Sequence, residues 1–407
     1  VNESSSSASR PRRLALRLTG PACRALAEGP PWVFADGVAR RSFEAPPGAV
    51  AVAFDAQERF VAVGLWDPDG PIVFRALSRT PVAVDAAFFA ARIAEAAARR
   101  ASLAKLHDGY RLVYGESDDL PGLVVDRYAA VAVLKLYTAA WLPHLDAIAD
   151  AVQAAEPATR TLVLRFARNM AKRAGESGRR DGDVLRGTLA DPAVVFREHG
   201  LRFRADVVRG QKTGFFLDQR EHRARIGALA AGRAVLNVCS YSGGFSLYAA
   251  RGGATAVASL DVAAPALAEA ERNFALNLDD PGVRAARHEL LCGDAFVLLP
   301  ALAREGRRFE VVVLDPPAFA KRKEEVPGAL VAYARLARAG LGVLAPGGIL
   351  AAFSCSSRVG ADEFATAVGE AASAARRPLR DVERSGHPED HPSSPGMEYL
   401  KGIFARA

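Results

Sequence analysis

Cysteine is scarce in this chain. Its 407 residues hold four, Cys23, Cys239, Cys292 and Cys355, and no two stand at metal-ligand spacing, which argues against a metal centre and fits a reducing cytoplasm. Long apolar runs are missing as well: nothing approaches the roughly eighteen uninterrupted residues that a membrane span needs. The first residues, Val1 to Arg13, are Ser-rich and then basic with no apolar centre. They read as neither signal peptide nor anchor but as a tail, disordered over 1–11. There is no Gly-x-Gly-x-x-Gly, hence no dinucleotide fingerprint, and no internal repeat at a solenoid period.

What is present points to a chain of two or three domains with enough apolar residues, 50%, to bury a sizeable core. The net charge of +7 is led by arginine, including Arg10, Arg12, Arg13, Arg165, Arg168, Arg179, Arg180, Arg202 and Arg204. Guanidinium forks suit phosphate, so a nucleic-acid partner is favoured.

Short strand-like segments, Leu14–Leu18, Ala51–Phe54 and Phe60–Trp66, are separated by Gly-Pro-Pro, Pro-Pro-Gly and Asp-Pro-Asp-Gly turns. That spacing predicts a small β barrel. An Ala-rich amphipathic helix is expected over Val84–Leu106, then strands at Leu123–Tyr128, Val131–Tyr137 and Thr161–Phe166 with a helix near His144–Ala155, an α+β region. Ala171–Asp183 is polar and basic and reads as a flexible loop. From about Val194 strands and helices alternate. Strands are expected at Val235–Cys239, Ala256–Asp261, His288–Cys292, Val311–Asp315 and Ile349–Phe353, with helices such as Ala263–Asn277 and Gly328–Leu344. Such alternation predicts an α/β fold with a mostly parallel, doubly wound sheet.

Ligands of such sheets bind outside the carboxyl ends of the strands. Cys239–Phe245 follows the first strand, and Gly243-Gly244 lets backbone approach a ligand closely. Asp261 ends the next strand, where a carboxylate can accept both hydroxyls of a ribose. Asp294 follows the third, placed to accept from an adenine amino group, although aspartate is also a common helix cap. Asp315-Pro316-Pro317 ends the fourth strand in a loop stiffened by its prolines. Cys355 follows the fifth among Ser354, Ser356 and Ser357, with Arg358 near enough to favour a thiolate, and so reads as a candidate nucleophile. Cys239 reads as lining the cofactor pocket, and Cys23 and Cys292 as structural.

These residues resemble the bacterial large-subunit ribosomal RNA (cytosine-5) methyltransferase I family. The resemblance rests on Gln211–Arg220, the turn Asn237–Phe245, Asp315-Pro316-Pro317, Phe353-Ser354-Cys355-Ser356 and the stretch from His391-Pro392 to Tyr399-Leu400-Lys401-Gly402. It extends to Gly115–Tyr128, and Pro31-Trp32-Val33-Phe34 is similar to a strand of that family's PUA RNA-binding domain. It implies a PUA-like domain over 12–80, an α+β middle domain over 81–193 and a Rossmann-like, seven-stranded methyltransferase domain over 194–407. It further implies S-adenosylmethionine held by Arg220, Ser240, Tyr241, Gly243, Gly244, Asp261, Asp294 and Asp315, and a ribosomal RNA cytosine as acceptor in a cytoplasmic enzyme. A homodimer is compatible with it; a metal or membrane is not called for.

The residues allow that chemistry by themselves. A Cys355 thiolate added at C6 of cytosine turns C5 into a nucleophile, and Asp315 can share a proton at N3. Phe319 can stack on an unpaired base while Lys321 and Arg322, with Lys323, hold phosphates, or that basic triplet is a solvated loop. Many cytosine-5 methyltransferases carry a cysteine after the proline of the fourth-strand motif. Here Ala318 follows Pro317, which leaves one thiol for the site. Two other readings stay open: methylation of a base nitrogen, which needs no thiol, and a non-catalytic RNA-binding protein.

Overall fold

The computed structural model describes residues 13–170, 173, 175, 177–393 and 396–407. The tail expected over 1–11 and part of the loop expected over 171–183 lie outside these. The chain forms two compact units: the first takes in residues up to Lys105, Tyr110–Val194 and Asp206–Gly214, the second Leu106–Gly109, Val195–Ala205 and Phe215–Ala407.

The first unit holds two sheets. Leu14–Leu18 alternates buried and half-buried residues, as a strand with one covered face does. It runs parallel to Val50–Phe54, within a six-stranded sheet ordered Trp32–Phe34, Ile72–Ser78, Phe60–Trp66, Val50–Phe54, Leu14–Leu18, Val38–Arg41. The second sheet has five strands, ordered Val184–Arg186, Thr161–Phe166, Val131–Leu136, Leu123–Tyr128, Gly109–Tyr114. The single helix expected over Val84–Leu106 is broken into Ala86–Arg99 and Ala101–Ala104. Arg100 at the break turns inward, where its buried guanidinium donates to Asp118 Oδ1 at 2.7 Å. An ion pair overrides the helical period there. The C-terminal end of the 171–183 segment is fastened: Asp181 accepts from the Phe166 amide at 2.6 Å and Gly182 N donates to Leu164 O at 2.8 Å.

The second unit is built on one sheet of seven strands. Their order is Arg287–Cys292, Ala256–Asp261, Ala234–Val238, Phe309–Leu314, Leu344–Ser354, Lys401–Arg406, Arg380–Ser385. The first five are mutually parallel; Lys401–Arg406 is antiparallel to both its neighbours, so Arg380–Ser385 runs in the direction of the first five. Central strands covered on both faces read as apolar runs, and Val311, Val312 and Val313 are all buried. The chain runs outward in one direction through 256–261 and 287–292 and in the other through 309–314 and 344–354. Strand order therefore reverses at Ala234–Val238, the place where open α/β sheets bind ligands. The strand Lys401–Arg406, unmarked by any alternation read above, fills the gap between Leu344–Ser354 and Arg380–Ser385.

Among the described residues no helix is long and apolar enough to cross a membrane.

Candidate active site

The sheet order determines which strand ends are neighbours. Along the carboxyl edge stand, in sequence across the sheet, Asp294, Asp261, Cys239, Asp315 and Cys355.

The turn after Ala234–Val238 carries three residues with positive φ, Cys239 at 59°, Tyr241 at 47° and Gly243 at 75°. Glycine is needed at 243 because a Cβ there would sit 2.7 Å from that of Ala270. Asp261 braces the turn: its Oδ2 accepts from Tyr241 N at 2.8 Å and its Oδ1 from Ala263 N at 2.9 Å. Asp294 is exposed and caps the helix Ala295–Arg304 by accepting from Phe296 N at 2.7 Å, so the capping role weighed for it is real. Burial, then the charges of Asp261, Asp315 and Asp294, push the Cys239 thiol up to about 12. All three carboxylates thus act on one point, and Cys239 is a poor source of thiolate.

Asp315 is held by its neighbours. Gln219 Nε2 donates to Asp315 Oδ1 at 2.9 Å, and the amide oxygen of Gln219 meets His222 Nδ1. The His222 ring stacks on Phe353 at 4.6 Å. One segment therefore fixes Asp315 from the side: Asp218, next to Gln219, accepts from Tyr399 OH at 2.6 Å, and Phe216 sets its ring edge-on to Tyr241 at 5.1 Å. Arg220 is fully buried; its Nη1 and Nη2 donate to both oxygens of Asp390, at 3.1 and 2.7 Å, and its Nε to Glu221 at 3.1 Å. The guanidinium that the resemblance gives to the cofactor is in this structure engaged by carboxylates.

Cys355 is half-buried just past Leu344–Ser354. Beneath it Ser354 Oγ donates to Tyr333 OH at 2.9 Å, Tyr333 OH and Ser356 Oγ are 2.8 Å apart, and Ala320 N donates to Ser356 Oγ at 3.3 Å. The last bond ties the cysteine turn to the Asp315-Pro-Pro loop. Arg358 is exposed, and Lys401 is a buried cation that interacts electrostatically with Cys355. Phe319 is half-buried and packs on Tyr333 at 4.8 Å. Lys321, Arg322 and Lys323 are exposed, Arg322 in an ion pair with Glu325 at 2.8 Å. Gln219, Tyr333, Asp390 and Lys401 went unassigned from sequence, although Gln219 and Lys401 lie inside the two motifs quoted above.

A family model described as an S-adenosylmethionine-dependent methyltransferase matches residues 145–406, and a PUA-like domain model matches 16–79. A ribosomal RNA large subunit methyltransferase of Deinococcus radiodurans is 49% identical, covering 98% of this chain and 99% of its own. The ribosomal RNA large subunit methyltransferase I of Shewanella denitrificans is 38% identical over 94% of this chain and 96% of its own. The chain belongs to the ribosomal RNA large subunit methyltransferase I family. Among solved structures, a methyltransferase complexed with SAH superimposes with a TM-score of 0.82 at 23% identity, covering 97% of this chain and all of that one, and shares the fold.

The methyltransferase takes its methyl group from S-adenosylmethionine, and the turn fits such a ligand. Ser240 Oγ and Ser242 Oγ are buried there without a hydrogen-bond partner among the described residues, an arrangement that a polar ligand satisfies. No group of His, Cys, Asp or Glu among the described residues could hold a metal.

Four histidines of the methyltransferase's second unit, His107, His222, His288 and His387, are pushed down to about 4, chiefly by burial. His387 Nε2 accepts from Leu400 N at 3.1 Å, which only a neutral ring can do. The unfolded chain protonates these rings near pH 6.5, the fold only near 4, so the unfolded state binds more protons in between. Stability is therefore expected to be full above about pH 6.5 and to fall as pH drops toward 4. Urea midpoints at pH 7.5 and 5 check this; equal midpoints would mean that the rings are charged in the fold.

Proposed function

We propose that this methyltransferase modifies C5 of a cytosine in large-subunit ribosomal RNA through a covalent adduct at Cys355. The observation that carries the reading is the joining of two loops: the Ala320–Ser356 hydrogen bond brings the Cys355 turn beside the loop of Asp315. The names of the relatives support the RNA class, and the raised Cys239 thiol counts against Cys239 as the nucleophile of that edge.

Ser240, Tyr241, Gly243, Gly244, Asp261 and Asp294 hold the donor in this reading, beside Asp315. When bound, S-adenosylmethionine supplies an electrophilic methyl group on a sulfonium. Cys355 Sγ adds to C6 of the cytosine, the C5–C6 double bond opens, and C5 gains the electron density to accept the methyl group. Asp315, oriented by Gln219, shares a proton at N3 and spreads the charge of the adduct. Loss of the C5 proton to a base then re-forms the double bond and expels the thiolate. A paired base must first leave its helix. Phe319 flanks it in this reading, while Lys321 and Arg322 meet phosphates, Arg322 at the expense of its contact with Glu325.

Incubation with labelled S-adenosylmethionine and unmodified large-subunit ribosomal RNA, followed by nucleoside analysis, tests this. The expected product is 5-methylcytosine. A nitrogen-methylated base would move the acceptor and remove the need for a thiol.

A further inference from the structure

A lysine with 7% of its surface exposed is an uncommon placement, because an ammonium group gives up strong hydration when buried. Lys401 pays that penalty directly across from the nucleophile turn. In the antiparallel pairing of Leu344–Ser354 with Lys401–Arg406, Lys401 stands opposite Ser354, the residue before Cys355. Its Nζ donates to Ser356 O at 2.6 Å and to Val359 O at 2.5 Å. Both carbonyls belong to the turn 356–359 that directly follows Cys355.

The other groups beneath the turn are neutral hydroxyls. Ser354, Tyr333 and Ser356 form a chain of hydrogen bonds, and Ser356 passes it on to Ala320 of the Asp315 loop. Hydroxyls fix geometry without supplying charge. Charged or titratable groups at this corner include Lys401 on its strand, Tyr333 on the helix Val326–Val343, Glu363 on the helix Ala361–Ala374 and His387, whose ring feels the Lys401 charge, with Arg358 exposed on the turn itself. Burial pushes Lys401 down to about 8, against the opposing pull of Cys355 and Glu363, so it stays mostly protonated at neutral pH.

We propose that Lys401 is the positioning residue of the Cys355 nucleophile, clamping the turn through its two carbonyls and holding one positive charge where the thiolate forms. The assignment rests on the reading of Cys355 as nucleophile. It explains why the motif Tyr399-Leu400-Lys401-Gly402, remote from Cys355 in sequence, belongs to the active site. It also gives the thiol a cation that sits within the fold, where solvent screens it less than the exposed Arg358.

The test is alkylation of Cys355 by iodoacetamide in the full chain across pH 5.5 to 10, read on the Cys355 peptide by mass spectrometry. The unaltered protein is compared with Lys401→Met, Lys401→Gln and Lys401→Arg. Loss of the charge in Lys401→Met is expected to raise the midpoint by about one pH unit and slow alkylation at pH 7 about tenfold. Lys401→Gln keeps a donor for one carbonyl without the charge and should follow Lys401→Met, whereas Lys401→Arg should recover most of the reactivity. Binding of S-adenosylmethionine by calorimetry shows which variants are folded, and Lys401→Gln decides if Lys401→Met is not. Unchanged midpoints in the neutral variants, with methyl transfer still requiring Cys355, would overturn the role of Lys401 alone. Methyl transfer that survives Cys355→Ser would overturn the nucleophile reading and this assignment with it.

Discussion

Replacing Cys355 by serine is expected to lower methyl transfer on the order of a thousandfold or more while leaving S-adenosylmethionine binding intact. The oxygen of serine is far less ionised than sulfur at neutral pH, so it cannot add to C6, and removal of an attacking group costs a rate factor of at least that size in other covalent enzymes. Cofactor affinity should persist because the turn at 239–244 is braced by Asp261 from its own side of the sheet. The measurement is single-turnover transfer to ribosomal RNA with saturating cofactor, together with calorimetric binding. A companion reaction on RNA containing 5-fluorocytosine should trap the unaltered protein as a denaturant-stable adduct, since the fluorine at C5 blocks the final elimination. The serine variant should give no adduct. Full transfer by the serine variant would make Cys355 a packing residue.

Replacing Asp390 by alanine is expected to destabilise the second unit by about 3–5 kcal/mol, because it leaves a buried guanidinium that cannot shed its charge. Arg220 and Asp390 are both fully buried and share two hydrogen bonds. Burial alone would raise the Asp390 carboxyl, but His391 and Arg220 outweigh it and hold the carboxyl well below the usual carboxylate range. The sign follows: the contribution is present above about pH 4 and is lost as pH falls below it. Denaturant unfolding at pH 7 measures the loss. The double replacement Arg220→Met with Asp390→Leu should recover most of it, as apolar substitutes for a buried pair often do. That variant also separates two roles for Arg220. Recovered stability with unaltered cofactor affinity assigns the arginine to the fold; recovered stability with lost affinity assigns it to the cofactor, as the family resemblance implies.

The central strands were readable because burial on both faces writes them as apolar runs. Ala256–Asp261 and Thr161–Phe166 have in the structure the bounds their composition suggests. Asp261 and Asp315 were visible for the same reason, as the polar residues on which such runs stop. Lys401–Arg406 was not legible, since it is short, opens on a lysine and contains a glycine, and it is a strand only because two neighbours leave it a place. Arg100 broke an otherwise continuous helical period for the sake of Asp118, a partner that helix propensity does not register. Pairings such as Gln219 with Asp315 and Arg220 with Asp390 join segments far apart in the chain, and no local pattern announces them. The Gln211–Arg220 motif could be seen to be distinctive, yet its physical use emerged only with its partners in place.

The pairing of Leu344–Ser354 with Lys401–Arg406 also bears on the cost of assembly. The turn 239–244 is held by the bond between Tyr241 and Asp261, which closes a short loop of low entropic cost. The nucleophile turn is complete only when Lys401 has been brought back across a helix and an edge strand to Ser356 and Val359. Closing the longer loop costs more entropy, so the corner of Cys355 depends on a longer-range pairing than the turn 239–244 does. If Lys401 has the role proposed for it, a chain in which that pairing is open carries Cys355 without its cation.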